Sequence, residues 1–169
     1  FVYHKTMNYG DCILEKRRSG KAGMDERIFL NTKGQICEGT VSNIFLVRDG
    51  RIYTPAIDSG LLPGTVREYI CESEAVTQTV IFPDELSSYQ ECFVTNSLMG
   101  VMPVKLLGNI SFEERNVTAM IMRKYHNFSA LCRQNAFLYH CGPGSATSHM
   151  VRVSPDMVNL ISYPPYSIP

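Results

Sequence analysis

The chain has 169 residues, of which 44% are hydrophobic and 19% charged, and its 16 Lys and Arg balance 16 Asp and Glu. That length favours one domain with room for a core, and the composition is ordinary for a soluble globular protein. No basic stripe suggests nucleic acid, no run approaches the ~18 apolar residues of a membrane span, and no charged region ahead of an apolar segment suggests a signal peptide. No nucleic-acid or membrane partner is therefore expected, and a cytoplasmic location is.

In chain order, polar and basic residues around Ile13 and Leu14 predict a short helix over Asp11 to Lys21, with glycines at its exit. Arg27 to Asn31 reads as a strand, Thr32 to Gln35 as a hairpin turn, and Ile36 to Glu38 as its continuation. Asn43 to Arg48 and Arg51 to Thr54 flank Asp49-Gly50, a strong hairpin signal. Three or four antiparallel strands are therefore expected across residues 27–54. A helix follows from Gly64 to Glu74, then a strand from Thr77 to Phe82 and a helical turn at Pro83 to Ser87. Strands at Glu91 to Thr95 and Val101 to Leu106 enclose a loop at Asn96–Gly100. Val117, Met120, Ile121 and Tyr125 recur at helical spacing, which predicts an amphipathic helix over Phe112 to Phe128. Ser111 and Glu114 fit a capping box at its start. Ser129 to Pro169 has no clear periodicity and is expected to be weakly ordered or foreign to the domain.

Six cysteines occupy positions 12, 37, 71, 92, 132 and 141 without a Cys-x-x-Cys pair. Most sit in apolar runs, so free buried thiols are expected. His126, Cys132, His140, Cys141 and His149 fit no zinc spacing. No metal site is expected.

Four blocks remain: Lys5-Thr-Met-Asn-Tyr9, Glu38-Gly-Thr-Val-Ser-Asn-Ile-Phe45, Gly60-Leu-Leu-Pro-Gly-Thr-Val-Arg67 and Phe93-Val-Thr-Asn-Ser-Leu-Met-Gly-Val-Met-Pro-Val104. In this order they resemble the pyridoxal-phosphate enzymes of aminotransferase class IV, and the fourth block turns the likeness toward 4-amino-4-deoxychorismate lyases. The resemblance implies a mixed α/β (α+β) fold, the large C-terminal domain of such enzymes, over residues 1–128, with 129–169 as a tail. It also implies a smaller domain ahead of the lysine block, and nothing in this sequence corresponds to one. A homodimer is implied for the full-length protein.

The same resemblance assigns roles, with pyridoxal 5'-phosphate as cofactor. Lys5 would be the catalytic residue that forms the Schiff base with the cofactor aldehyde and then moves protons at the substrate's α carbon. Glu38 would meet the pyridine nitrogen and keep it protonated, so that the ring accepts electrons. Gly39 allows close backbone approach, and Ser42 and Asn43 shape the turn. Leu62 would pack on the ring. Gly64, Thr65 and Val66 open a helix whose N–H groups and dipole suit a phosphate. Many members carry threonine beside the arginine, where this chain has Val66, so Val66 would contribute through its backbone. Arg67 reads as structural. Ser97 would be a second phosphate contact, Tyr9 could reach the cofactor's phenolic oxygen, and Asn96, Leu98 and Met99 would line the substrate side.

The implied reaction is elimination of pyruvate from 4-amino-4-deoxychorismate to give 4-aminobenzoate for folate synthesis. A branched-chain or D-amino-acid aminotransferase with the same cofactor residues is the first alternative. A non-catalytic fragment that keeps the fold is the second.

Overall fold

The computed structural model describes residues 10–21, 23–135, 151–153 and 158–159. Helix α1 (Gly10–Lys21) leads into strands β1 (Ile28–Leu30) and β2 (Ile36–Gly39), then β3 (Asn43–Arg48) and β4 (Arg51–Pro55). Asp49 and Gly50 both adopt positive φ, 52° and 73°, the conformation of a tight two-residue hairpin turn. A 3-10 turn at Ile57–Ser59 precedes helix α2 (Thr65–Ser73) and strand β5 (Val76–Thr79). A second 3-10 turn at Pro83–Ser88 precedes β6 (Glu91–Asn96), β7 (Gly100–Leu107) and β8 (Ile110–Ser111). Helix α3 (Asn116–Asn135) follows, and β9 (Val151–Val153) and β10 (Val158–Asn159) complete the described elements.

The strands form two sheets. One runs β5-β4-β3-β6-β7-β8, with β9 pairing β7 off that path, and the other runs β10-β1-β2. The pairs β4–β5, β7–β9 and β1–β10 are parallel, and the remaining pairs are antiparallel. Four strands do occupy the 27–54 region, but they are shared between the sheets instead of forming one meander. At the junction, the Gly39 N–H donates to the Ser42 carbonyl (2.6 Å) and the Thr40 N–H to the Arg27 carbonyl (3.1 Å), so the chain turns here before β3 joins the larger sheet.

Both faces of the larger sheet are covered, which is why β3 and β6 are buried almost throughout. Ile44, Leu46, Cys92 and Val94 pack on one face with Ile28, Ile36, Leu86 and Phe112. Phe45, Val47 and Phe93 point to the other face, under Val66 and Ile70 of α2 and Ile121 of α3. Phe45 and Phe93 are register partners and stack at 4.9 Å with an interplanar angle of 3°. Such a pair contributes about 1 kcal/mol beyond its burial. Val117, Met120 and Tyr125 pack partly buried beside Ile121, the face expected from their spacing.

Several boundaries differ from expectation. The Thr77–Phe82 strand ends at Thr79, and the Ile81 carbonyl turns to accept from the Ile36 N–H at 2.8 Å. The long helix starts at Asn116 because Ile110–Ser111 is spent on β8 and the Phe112 N–H bonds back to Lys105. Its cap is Glu91 of β6, not Ser111: the buried carboxylate accepts from the Val117 N–H (2.9 Å), the Thr118 N–H (2.7 Å) and the Thr118 hydroxyl (2.7 Å). At the other end α3 runs past Phe128 to Asn135, so the boundary drawn at 128 falls inside a helix. The thiols divide as well: Cys37 and Cys92 are buried, Cys12 and Cys71 half-buried, and Cys132 exposed. Cys132 departs from the buried expectation because it lies near the exposed end of α3.

Candidate functional site

Strand pairing gathers the motif residues at one end of the larger sheet. Asn43, the first residue of β3, is register partner of Thr95 near the end of β6. The turn between β2 and β3 therefore lies beside the turn that follows β6. Asn96 ties them, donating from its side-chain amide to the Val41 carbonyl at 3.1 Å. The Leu62–Gly64 segment that opens α2 closes the third side. Together these segments enclose a cleft of about 270 Å3, lined by residues that include Glu38, Asn43, Leu62, Thr65, Thr95 and Ser97.

Asn43 fastens two of the walls. Its side-chain amide donates to the Leu62 carbonyl (2.8 Å) and to Glu38 Oε2 (3.3 Å), and its side-chain oxygen accepts from the Gly64 N–H (3.1 Å). A Cβ at Gly64 would stand 2.6 Å from Asn43 Oδ1, so only glycine allows this approach. Gly39 is equally confined, with Glu26 Cδ 3.1 Å from where its Cβ would be and the Ser42 hydroxyl nearer still.

Glu38 is half-buried and accepts from the Leu62 N–H at 3.0 Å. Burial pushes its carboxyl up to about 7, against the lowering effects of the Leu62 N–H and the Arg67 guanidinium and with a smaller push from Glu26. Arg67 is buried on α2 and donates to the Pro55 carbonyl (3.1 Å) and to Gln78 Oε1 (2.8 Å), so it braces α2 against β4 and β5 while lending positive potential to Glu38. Cys37, the preceding residue, donates its thiol to the Ser59 carbonyl at 2.9 Å, and burial, reinforced by Glu38, raises it to about 12.

At the start of α2 the first intrahelical bond comes from the Glu68 N–H to the Gly64 carbonyl. The N–H groups of Thr65 and Val66 precede it and have no helical acceptor, which makes this end of the cleft a seat for an anion. Thr65 is exposed and its hydroxyl borders the cleft, whereas the Val66 side chain is buried in the core and only its backbone can contribute. On the cleft wall Thr95 Oγ1 is buried without a hydrogen-bond partner among the described residues, an orphan hydroxyl.

The expected site residues Glu38, Leu62, Gly64, Thr65, Asn96 and Ser97 all line this one cleft. Leu98 and Met99 do not. The Asn96 side-chain oxygen accepts from the N–H groups of Leu98 (3.0 Å) and Met99 (2.7 Å), and this tight turn leaves Leu98 94% exposed and Met99 40% exposed. Lys5 and Tyr9 lie outside the described residues. Glu26 and Thr95 carried no sequence signal of their own: one precedes a strand like any surface glutamate, and the other reads as a strand residue.

Residues 1–107 match the model of the family described as amino-transferase class IV. The chain belongs to that family. A Thermotoga maritima protein named "Probable branched-chain-amino-acid aminotransferase" is 37% identical over 116 residues, covering 64% of this chain and 42% of the relative. The aminodeoxychorismate lyase of Bacillus subtilis is 30% identical over 114 residues, covering 64% and 39%. Among solved structures, the branched-chain amino acid aminotransferase from Escherichia coli superposes with a TM-score of 0.67 at 28% identity, covering 71% of this chain and 43% of that one. The chain thus spans less than half the length of these relatives, and it shares the mixed α/β fold of class IV proteins.

The cleft fits a phosphorylated pyridine. Its anion seat, the orphan hydroxyl of Thr95 and a carboxyl near neutrality are the kind of polar groups such a ligand needs.

Proposed function

We propose that this chain forms the cofactor-binding part of a pyridoxal-phosphate-dependent class IV enzyme, and that the enzyme is a 4-amino-4-deoxychorismate lyase acting as a cytoplasmic homodimer. One observation carries the cofactor reading: a carboxyl raised to about 7 and the free N–H groups of a helix start share a single cleft. Pyridoxal phosphate, when bound, supplies an electron sink for negative charge developing at the substrate's α carbon. Glu38 would hold a proton on the ring nitrogen, and the positive charge there would draw the carboxyl back toward its ionised form. The backbone N–H groups of Thr65 and Val66, with the hydroxyls of Thr65 and Ser97, would bind the phosphate. Leu62 would pack against the ring. Lys5, by its motif, would anchor the cofactor and take the proton from the substrate's α carbon, with Tyr9 toward the phenolic oxygen. The proposed unit comprises residues 1–128 and the remainder of α3.

The lyase reading rests on the Asn96-Ser-Leu-Met99 turn and on the likeness to the Bacillus subtilis lyase. With Leu98 exposed and Ser97 given to the phosphate, the substrate-side role would fall chiefly on Asn96, which lines the cleft. A second reading, a branched-chain aminotransferase, is favoured by the higher identity to the Thermotoga maritima relative. Supplying 4-amino-4-deoxychorismate to the full-length protein separates them. The lyase releases pyruvate and 4-aminobenzoate without a keto acid, and a strict requirement for 2-oxoglutarate would establish transamination instead.

A further inference from the structure

Glu26 is 1% exposed and lies just ahead of β1, and no step of the proposed chemistry uses it. Its carboxylate faces inward onto the turn that carries the cleft wall. Oε1 accepts from the Arg27 N–H (3.0 Å), the Thr40 N–H (3.2 Å) and the Thr40 hydroxyl, and Oε2 accepts from the Ser42 hydroxyl at 2.9 Å. The Lys16 ammonium on α1 lies 3.5 Å from Oε2 and also donates to the Asp25 carbonyl. On the same helix Glu15 holds the Arg27 guanidinium at 2.7 Å and the Arg18 guanidinium at 2.5 Å. One buried carboxylate thus links α1, the start of β1 and both hydroxyl-bearing residues of the β2–β3 turn. No ladder joins β2 to β3, so besides the Gly39, Thr40 and Asn96 bonds described above, this carboxylate is what holds the turn.

We propose that Glu26 is a positioning residue for the cleft: it fixes the Gly39–Ser42 turn, and with it Glu38 and Asn43, and ties that wall to α1, the helix that follows the Lys5 block. A buried side chain on which several donors converge is strongly directional, and losing its acceptor oxygens loosens those donors together. Glutamine cannot substitute, since it offers one accepting oxygen where donors converge on two. The consequence for cofactor binding rests on the class IV reading above, whereas the hold on the turn does not.

Amide hydrogen exchange on the whole 169-residue chain tests it, comparing the parent with Glu26→Gln, Thr40→Val and Thr40→Ser. Gly39 and Thr40 are the reporters, and Phe45 and Val94 in the central ladder are the controls. Glu26→Gln is expected to speed exchange at the reporters by about tenfold or more over the controls, as a local opening does. Thr40→Val, which keeps the volume and removes the hydroxyl donor, should speed Gly39 in the same direction, and Thr40→Ser should restore it. Titration of the same proteins with pyridoxal phosphate should give a dissociation constant about tenfold weaker in Glu26→Gln, some 1.4 kcal/mol by the usual conversion. Reporters that move no more than the controls overturn the proposal, and if Glu26→Gln fails to fold, an unchanged Gly39 in Thr40→Val does so. A parent that binds no pyridoxal phosphate counts against the cofactor reading, and the exchange result still decides the role of Glu26.

Discussion

Burial raises the Glu38 carboxyl from about 4.5 to about 7, so its protonation changes across the neutral range. A carboxyl raised on folding binds its proton more tightly in the native state, and its contribution to stability falls as pH rises from about 4.5 through about 7. Glu38→Gln keeps an acceptor for the Leu62 N–H and cannot ionise. The melting temperature of the variant minus that of the parent should therefore grow from about pH 4.5 to about pH 7, the window set by this shift. A difference that shrinks over that range would mean the cleft stabilises the carboxylate. The thiols give a second test at this scale. Cys37 and Cys92 are buried with raised pKa, whereas Cys132 is exposed. Peptide mapping after native alkylation should find Cys132 modified and the other two protected until denaturant is added. Early modification of Cys37 would contradict the packing beneath Glu38.

Among the elements, α3 depends on a residue from another strand. Glu91 satisfies two N–H groups of its first turn and faces the positive end of the helix. Glu91→Ala should lower stability by about 3 kcal/mol in denaturant unfolding, since it leaves buried donors unpaired. A loss below about 0.5 kcal/mol, the size of a surface change, would show that the cap matters little. This cap was invisible in the sequence because its partners lie 26 and 27 positions away, while Ser111 and Glu114 supplied a plausible local alternative. Local signals sufficed elsewhere: the apolar run through Asn43–Arg48 and the Asp49-Gly50 pair read correctly because strand preference and turn chemistry are short-range. The motifs grouped Leu62, Gly64 and Ser97 in the sequence, and these residues line one cleft. The direction of Leu98 was not legible, because the Asn96 side chain, capping its own turn, sends it outward.

For the whole molecule, the class IV fold brings three separate sequence blocks to one end of one sheet, and the pairing of Asn43 with Thr95 is what joins the second to the fourth. The proposed binding of pyridoxal phosphate joins this cleft to Lys5, which lies outside the described residues. It is tested most directly by adding pyridoxal phosphate to the chain, reducing with borohydride and mapping the peptides by mass spectrometry. The account predicts a phosphopyridoxyl label on Lys5, abolished by Lys5→Ala and weakened when Gly64→Ala crowds Asn43 at the helix start. A label confined to another lysine, with Lys5 unmodified, would contradict it.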